Sequence, residues 1–282
     1  MEKIDLLEKE IDGKLKEGLF QQIVLLNGCR IDLLRSLSDM DPSNERYLEK
    51  VVLARLSHAN YYRVLGGKYR SRRFIWLAEQ KVKRFSIQDH ILKTALESSI
   101  LLNKGELEYR RGEYGKMLEF YIFGELEFAR KKFEIQFPGS IDKARGLLKK
   151  SVEKLKKTIY HWQKTGGEIK RIRFYRKVLT NAYFRLGELV MLEESYDGEE
   201  GSLAYLKLAV DTAKKCDYSY RKHDAAQSYL NGLYFAGKYN DEDYKSIRKE
   251  YEMLIDSSLE SDPNKERYES ITIRRTGCDQ TA

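Results

Sequence analysis

Residues 69–85 read YRSRRFIWLAEQKVKRF. At about 100° per residue, Phe74, Ile75, Ala78, Val82 and Phe85 fall on one arc of a helix. Arg72, Arg73, Lys83 and Arg84 lie on the other side. That pattern is an amphipathic helix, and it recurs along the chain. In residues 140–161, SIDKARGLLKKSVEKLKKTIYH, Ser140 is placed to cap the start. Ile141, Ala144, Leu148 and Val152 then repeat at helical spacing, and Pro138 with Gly139 ends whatever precedes them. No segment alternates apolar and polar residues with β-branched enrichment, so no strands are expected.

The breaks between helical runs are short. They fall near Gly18, 41–44, 66–67, 86–88, Gly112, 138–139, 166–167, 197–201, 218–222, 237–241 and 262–265. The runs between them predict ten or eleven helices of roughly 14 to 28 residues. Short connections between long helices force antiparallel neighbours. The expected fold is therefore all-α: an α–α superhelix of antiparallel helical hairpins, a single domain over residues 1–270. Residues 271–282 are expected to be a flexible tail.

Composition agrees with that class. Among 282 residues there are 3 prolines and 19 glycines, too few for a protein built of tight β turns. Charged residues make up 34%, which suits helices with one apolar stripe and one solvated face. The formal net charge is +8, which permits an acidic partner without establishing one. Three cysteines, Cys29, Cys216 and Cys278, are odd in number and far apart, so neither a disulfide framework nor a metal site is implied. A reducing cytoplasmic location fits them. The first residues, MEKIDLLEKEIDGK, contain no apolar core of a signal peptide, and no run reaches the ~18 apolar residues of a membrane span.

A Gly-x-aromatic step recurs at Gly18–Phe20, Gly67–Tyr69, Gly112–Tyr114 and Gly237–Tyr239. Residues 98–127, SSILLNKGELEYRRGEYGKMLEFYIFGELE, carry one copy, with Leu101, Gly105, Gly112, Tyr114, Met117, Tyr121 and Gly124 at repeat-like spacing. Residues 183–217 carry another through Leu186, Gly187, Ser202, Leu206 and Ala209. This pattern resembles the tetratricopeptide repeat, in which small residues let two helices of a hairpin approach closely. Residues 53–86 and 227–258 are weaker copies. The first three glycine steps stand 49 and 45 residues apart, against a family period of about 34. Either the helices are about two turns longer or one hairpin is out of phase. Some members of the family grip a terminal carboxylate with Lys and Asn on the first helix. Here Leu102 and Glu106 occupy those positions, so the resemblance does not extend to that clamp. DPSNERY at 41–47 and DPNKERY at 262–268 read as junctions between hairpins, with proline tolerated at a helix start.

No phosphate-binding, dinucleotide, nucleophile-elbow or zinc-protease motif is present, and His58, His90, His161 and His223 do not share metal-ligand spacing. No enzyme, cofactor or metal is expected. Two basic clusters carry the candidate partner-binding residues. Residues 63–84 hold eight bases against one acid, Glu79, and place Trp76 outside the apolar arc near Arg72, Arg73 and Lys83. Trp76 could stack on a base, grip an acidic peptide or pack on the next hairpin. Residues 170–177, KRIRFYRK, put Lys170, Arg173 and Lys177 on one face. They are candidate phosphate contacts or an ordinary basic helix start. The expected function is a helical-repeat scaffold or adaptor that binds a protein or peptide, acidic by charge, on its concave face. A nucleic-acid-binding accessory protein using both clusters is the alternative.

Overall fold

A computed structural model describes residues 2–84, 87–109, 140–191, 195–216, 225–226, 228–233, 236–238, 240–242 and 244–249. Among these residues the protein is all-α, without strands. Eight helices can be followed: α1 (Glu2–Lys16), α2 (Phe20–Met40), α3 (Glu45–Val64), α4 (Lys68–Arg84), α5 (His90–Tyr109), α6 (Ser140–Lys164), α7 (Ile169–Met191) and α8 (Ser202–Lys214). Residues 228–233 and 244–249 are also helical. The copies of the junction and repeat motifs at 112–127 and 262–268 lie outside the described residues, as does the tail at 271–282.

The turns follow from local chemistry. Helix α3 ends where Gly66 takes φ 77°, a left-handed conformation that costs other residues energy. The Gly66 amide donates to the Arg63 carbonyl at 3.1 Å and the Gly67 amide to the Tyr62 carbonyl at 2.7 Å. These are the two bonds of a Schellman stop. A Cβ on Gly67 would lie 3.2 Å from the Tyr62 carbonyl oxygen, so the second glycine serves close approach. Gly166 and Gly167 end α6 in the same way, with φ 71° at the first and a 2.7 Å bond from the second to the Trp162 carbonyl.

The DPSNERY junction joins α2 to α3. Asn44 caps α3 by accepting from the Arg46 amide at 3.2 Å, while Ser43 and Asn44 donate to the Asp41 carboxylate at 2.8 and 3.1 Å. Those bonds hold the Asp41 carboxyl below its usual pKa. Glu45 reaches further, accepting from the amides of Gln88 and Asp89 at 2.5 and 3.2 Å. It thereby ties the start of α3 to the start of α5.

Successive helices pack on one another, and α3 also touches α5, and α5 touches α7. Helix α6 runs antiparallel to α5: Ser140 bonds the Glu108 carbonyl, Ser151 the Ser98 carbonyl at 2.9 Å, and Lys154 the Glu97 carboxylate at 2.7 Å. So α3, α5 and α7 form one layer, and α4 and α6 back it. Two glycines make the layers close. A Cβ on Gly105 of α5 would come within 2.9 Å of Leu148 of α6. A Cβ on Gly187 of α7 would come within 2.5 Å of Leu206 of α8. The expected partner of Gly105 in its own repeat copy, residues 112–127, lies outside the described residues.

Apolar clusters follow one another along the helices. One cluster joins α1, α2 and α3 around Ile4, Leu34 and Val51; a second joins α3, α4 and α5 around Val52, Ala78 and Leu96. The largest joins α5 to α8 and residues 225–247 around Leu148, Leu155, Tyr175 and Leu206.

Candidate interaction surface and a buried charge network

Helix α4 presents the first candidate cluster. Its buried arc is Ser71, Ile75, Ala78 and Val82, which packs on α3 and α5. Trp76 stands almost opposite that arc and remains 51% exposed, and Tyr69, on the same outer face, is 89% exposed. Arg72 and Arg73 are exposed beside them and form no ion pair or hydrogen bond among the described residues. Lys83, at the far end, is exposed but pairs with Glu79 at 3.1 Å. Glu79 also accepts from Lys104 of α5 at 2.8 Å, and that bond chiefly holds its carboxyl below the usual range. Of the other bases counted in this stretch, Lys81 lies 3.5 Å from Asp39 of α2, and Arg70 rests over the Tyr62 ring at 5.4 Å.

The second cluster begins α7, in the other layer. Lys170 and Arg173 are exposed and Lys177 is half-buried, and Arg173 and Lys177 each already interact within the chain. Arg171, between them in sequence, turns inward and bonds Glu49 of α3 at 2.6 Å. Glu49 also accepts from the Tyr175 hydroxyl at 3.1 Å. Burial, and then the Glu49 carboxylate, push the Tyr175 hydroxyl well above its ordinary pKa, so it stays protonated and donates. Arg171 covers the Trp162 ring at 5.7 Å, and Trp162 packs on Tyr175 with ring centres 5.2 Å apart. The two clusters thus sit on different layers: α4 on α3 and α5, α7 on α5, α6 and α8.

Between the layers lies a feature that the sequence reading did not find. Arg63 at the end of α3 bonds Glu106 of α5 at 2.7 Å. Glu106 also accepts from Arg185 of α7 at 3.2 Å, and Arg185 pairs with Glu188 one turn on. All four side chains are at most 9% exposed. Among the described residues two positive and two negative groups meet here, and each bond crosses or braces the α3–α5–α7 layer. Burial alone would lower the Arg185 pKa. The Glu188 and Glu106 carboxylates outweigh it, and the guanidinium is held above its ordinary value. With Glu45 and Glu49 at the other end, the three helices are clamped parallel at both ends. The sequence carried one signal for this: Gly-Glu-Leu occurs at 105–107, 124–126 and 187–189, and its first and last copies place Glu106 and Glu188 one residue after the two close-packing glycines.

The histidines divide similarly. His58 is buried, with its Nδ1 3.1 Å from the Asn27 amide nitrogen, which also donates to the Ala54 carbonyl at 3.0 Å. Its ring meets Phe74 and Tyr62 edge-on at 4.3 and 4.9 Å. Burial depresses its pKa from 6.5 to about 4, so the ring is neutral and Nδ1 accepts. His90 and His161 are exposed, and His223 lies outside the described residues. Among the described residues no group of three or more His, Cys, Asp or Glu could hold a metal ion, and no helix is long and apolar enough to cross a membrane.

No protein-family model matches the chain, and no curated protein matches it. Among solved structures it is similar to BtubC (BKLC) from P. vanneervenii, at 14% identity over 87% of this chain and 94% of that one. The TM-score is 0.39, a likeness too loose to carry an argument about fold or function.

Proposed function

We propose that this chain is a non-enzymatic helical-repeat scaffold, of the tetratricopeptide kind, that binds another protein. The observation that supports this most is the repeated packing rule. Helices α3, α5 and α7 stand side by side, each backed by an antiparallel helix, and the same layer is clamped by charge at both ends. An array built of repeated pairs offers a long, rigid surface rather than one deep site. The layer of α3, α5 and α7 is itself well covered. Helix α5 exposes only His90, and α7 is buried at ten successive positions, 182–191. Free aromatic and cationic side chains stand instead on the outside of α4, where Arg72, Arg73, Trp76 and Lys83 would meet the partner.

Binding of nucleic acid is the second reading, favoured by Arg72 and Arg73 beside a half-exposed tryptophan. It loses ground because Lys170, Arg173 and Lys177 stand on α7 and not on α4, and Arg173 and Lys177 already interact within the chain. The test is affinity isolation with the intact, tagged chain before and after nuclease treatment. A protein partner retained through nuclease supports the scaffold. No retained protein, together with tight, steeply salt-dependent binding of purified RNA or DNA, overturns it.

A further inference from the structure

On the outer face of α4, Tyr69, Arg73, Trp76, Gln80 and Lys83 follow one another at steps of four, three, four and three residues. That is the spacing by which one helix meets another along a seam. It is not the buried seam of α4, which is Ser71, Ile75, Ala78 and Val82 on the opposite side. Helix α4 therefore has two helix-packing faces, and the outer one is unused within the described residues. We infer that this outer face docks an acidic amphipathic helix of a partner protein. The proposal rests on the scaffold reading and names the chemistry of its partner.

Charge and shape select the occupant. Tyr69 and Trp76 stand two turns apart, about 10 Å along the axis, and are apolar knobs for a facing helix. Arg73 lies between them and Arg72 beside them, and neither has a partner among the described residues. Lys83 shares Glu79 with Lys104, so it has capacity for a second carboxylate. A facing helix with leucines opposite the two aromatics and glutamates opposite the cations would fill the seam over about 20 Å. A single nucleic-acid strand would need a continuous positive track. Along this seam Arg73 and Lys83 stand ten residues apart, about 15 Å, with Trp76 and Gln80 between them.

The test uses the full-length chain and three probes: a synthetic acidic peptide of about 20 residues with leucine and glutamate at seam spacing, a scrambled peptide of the same composition, and a uridine RNA of about 15 nucleotides. The chain has two tryptophans, and Trp162 is only 6% exposed, so Trp76 supplies any change in emission or iodide quenching. The helical peptide is expected to shift Trp76 emission to the blue and protect it from iodide, with the scrambled peptide at least tenfold weaker. The Arg72→Glu/Arg73→Glu variant, whose side chains are exposed and whose fold is checked by circular dichroism, is expected to bind the acidic peptide at least tenfold more weakly and to accept a peptide with lysine in place of glutamate. Equal binding of helical and scrambled peptides, or no binding of either, overturns the proposal. RNA binding more tightly than the helical peptide overturns it in favour of a nucleic-acid surface. A variant that loses the peptide but keeps the protein partner in affinity isolation removes α4 as the dock and leaves the scaffold reading standing.

Discussion

Replacing Glu106 by Gln keeps the side chain's shape and removes one charge from the centre of the α3–α5–α7 layer. In the parent, Glu106 accepts from Arg63 at 2.7 Å and from Arg185 at 3.2 Å. In the variant, two guanidiniums remain in a region where they are at most 9% exposed, with Glu188 the one described carboxylate left between them. Arginine does not escape by losing its proton, since its guanidinium stays charged in proteins. Breaking a buried pair from one side costs about 3–5 kcal/mol. A comparison variant, Glu79→Gln, touches a carboxylate whose pairs with Lys83 and Lys104 are more exposed, and about 1 kcal/mol or less is expected.

The assay is urea unfolding followed by far-ultraviolet circular dichroism and by tryptophan emission, because arrays can unfold in steps and both probes must agree. With a slope near 3 kcal/mol per molar, a loss of about 4 kcal/mol lowers the midpoint by about 1.3 M. Replacing all four network residues together by apolar ones (Arg63→Met, Glu106→Leu, Arg185→Met, Glu188→Leu) should restore most of that loss, since a well-packed apolar substitute often matches a buried ion pair. A Glu106→Gln midpoint within the range of Glu79→Gln would refute the reasoning. So would a fourfold variant less stable than the single one.

Gly187→Ala pushes a methyl to within 2.5 Å of Leu206, with the α8 backbone nitrogen at 3.3 Å, so a loss of about 1–3 kcal/mol is expected. Gly146→Ala, in mid-α6 with open space around the new Cβ, should gain up to about 1 kcal/mol; thermal midpoints moving in the same direction for both would contradict the packing argument. The folded pKa of His58, about 4, lies below its unfolded value of 6.5, so folding favours the neutral ring. Its contribution is complete above pH 6.5 and is lost as pH falls towards 4; the linkage amounts to about 3 kcal/mol, and to about 2 after allowing for partial solvation. Urea midpoints between pH 7 and pH 4 should therefore fall more steeply in the parent than in His58→Phe, and parallel slopes would sink the assignment.

The helices and their turns were legible because each depends on near neighbours. Gly66-Gly67 and Gly166-Gly167 mark helix breaks from sequence alone, and the arc of Ile75, Ala78 and Val82 fixes which side of α4 is buried. It also puts Trp76 outside that arc, while its exposure is seen only in the folded chain. The close-packing glycines were legible too, but not all of their partners. Gly187 meets Leu206 within its expected copy, whereas Gly105 meets Leu148 of α6, which lies in none of the expected copies. A glycine records that something approaches; it carries no mark of what. The buried charges were harder still. Arg63 and Glu106 are 43 residues apart and Glu106 and Arg185 are 79 apart, so no local pattern pairs them. Composition reads each as part of a solvated face.

That difficulty bears on how the basic character of the chain should be understood. A net charge of +8 and a run of eight bases over 63–84 suggest a broad electropositive surface. Folding divides those bases. Arg63 is consumed by Glu106, Lys81 by Asp39 and Arg171 by Glu49, while Arg70 lies on Tyr62 and Lys83 shares Glu79. The pairs that cross between helices set the register of the array, and screened surface pairs contribute little beyond local order. Among the described residues, what remains free for recognition on α4 is narrow: Arg72 and Arg73 beside two exposed aromatic rings, with Arg84 at the end of the helix. A surface of that size cannot hold a polyanion by charge alone, because such binding grows with the number of contacts made. It can discriminate among helices, where two knobs and two cations in register are enough to reject a partner whose acids are displaced by a residue. The lysines and arginines thus serve two ends: those paired across helices assemble the layers, and others, Arg72 and Arg73 among them, are left where a partner can read them.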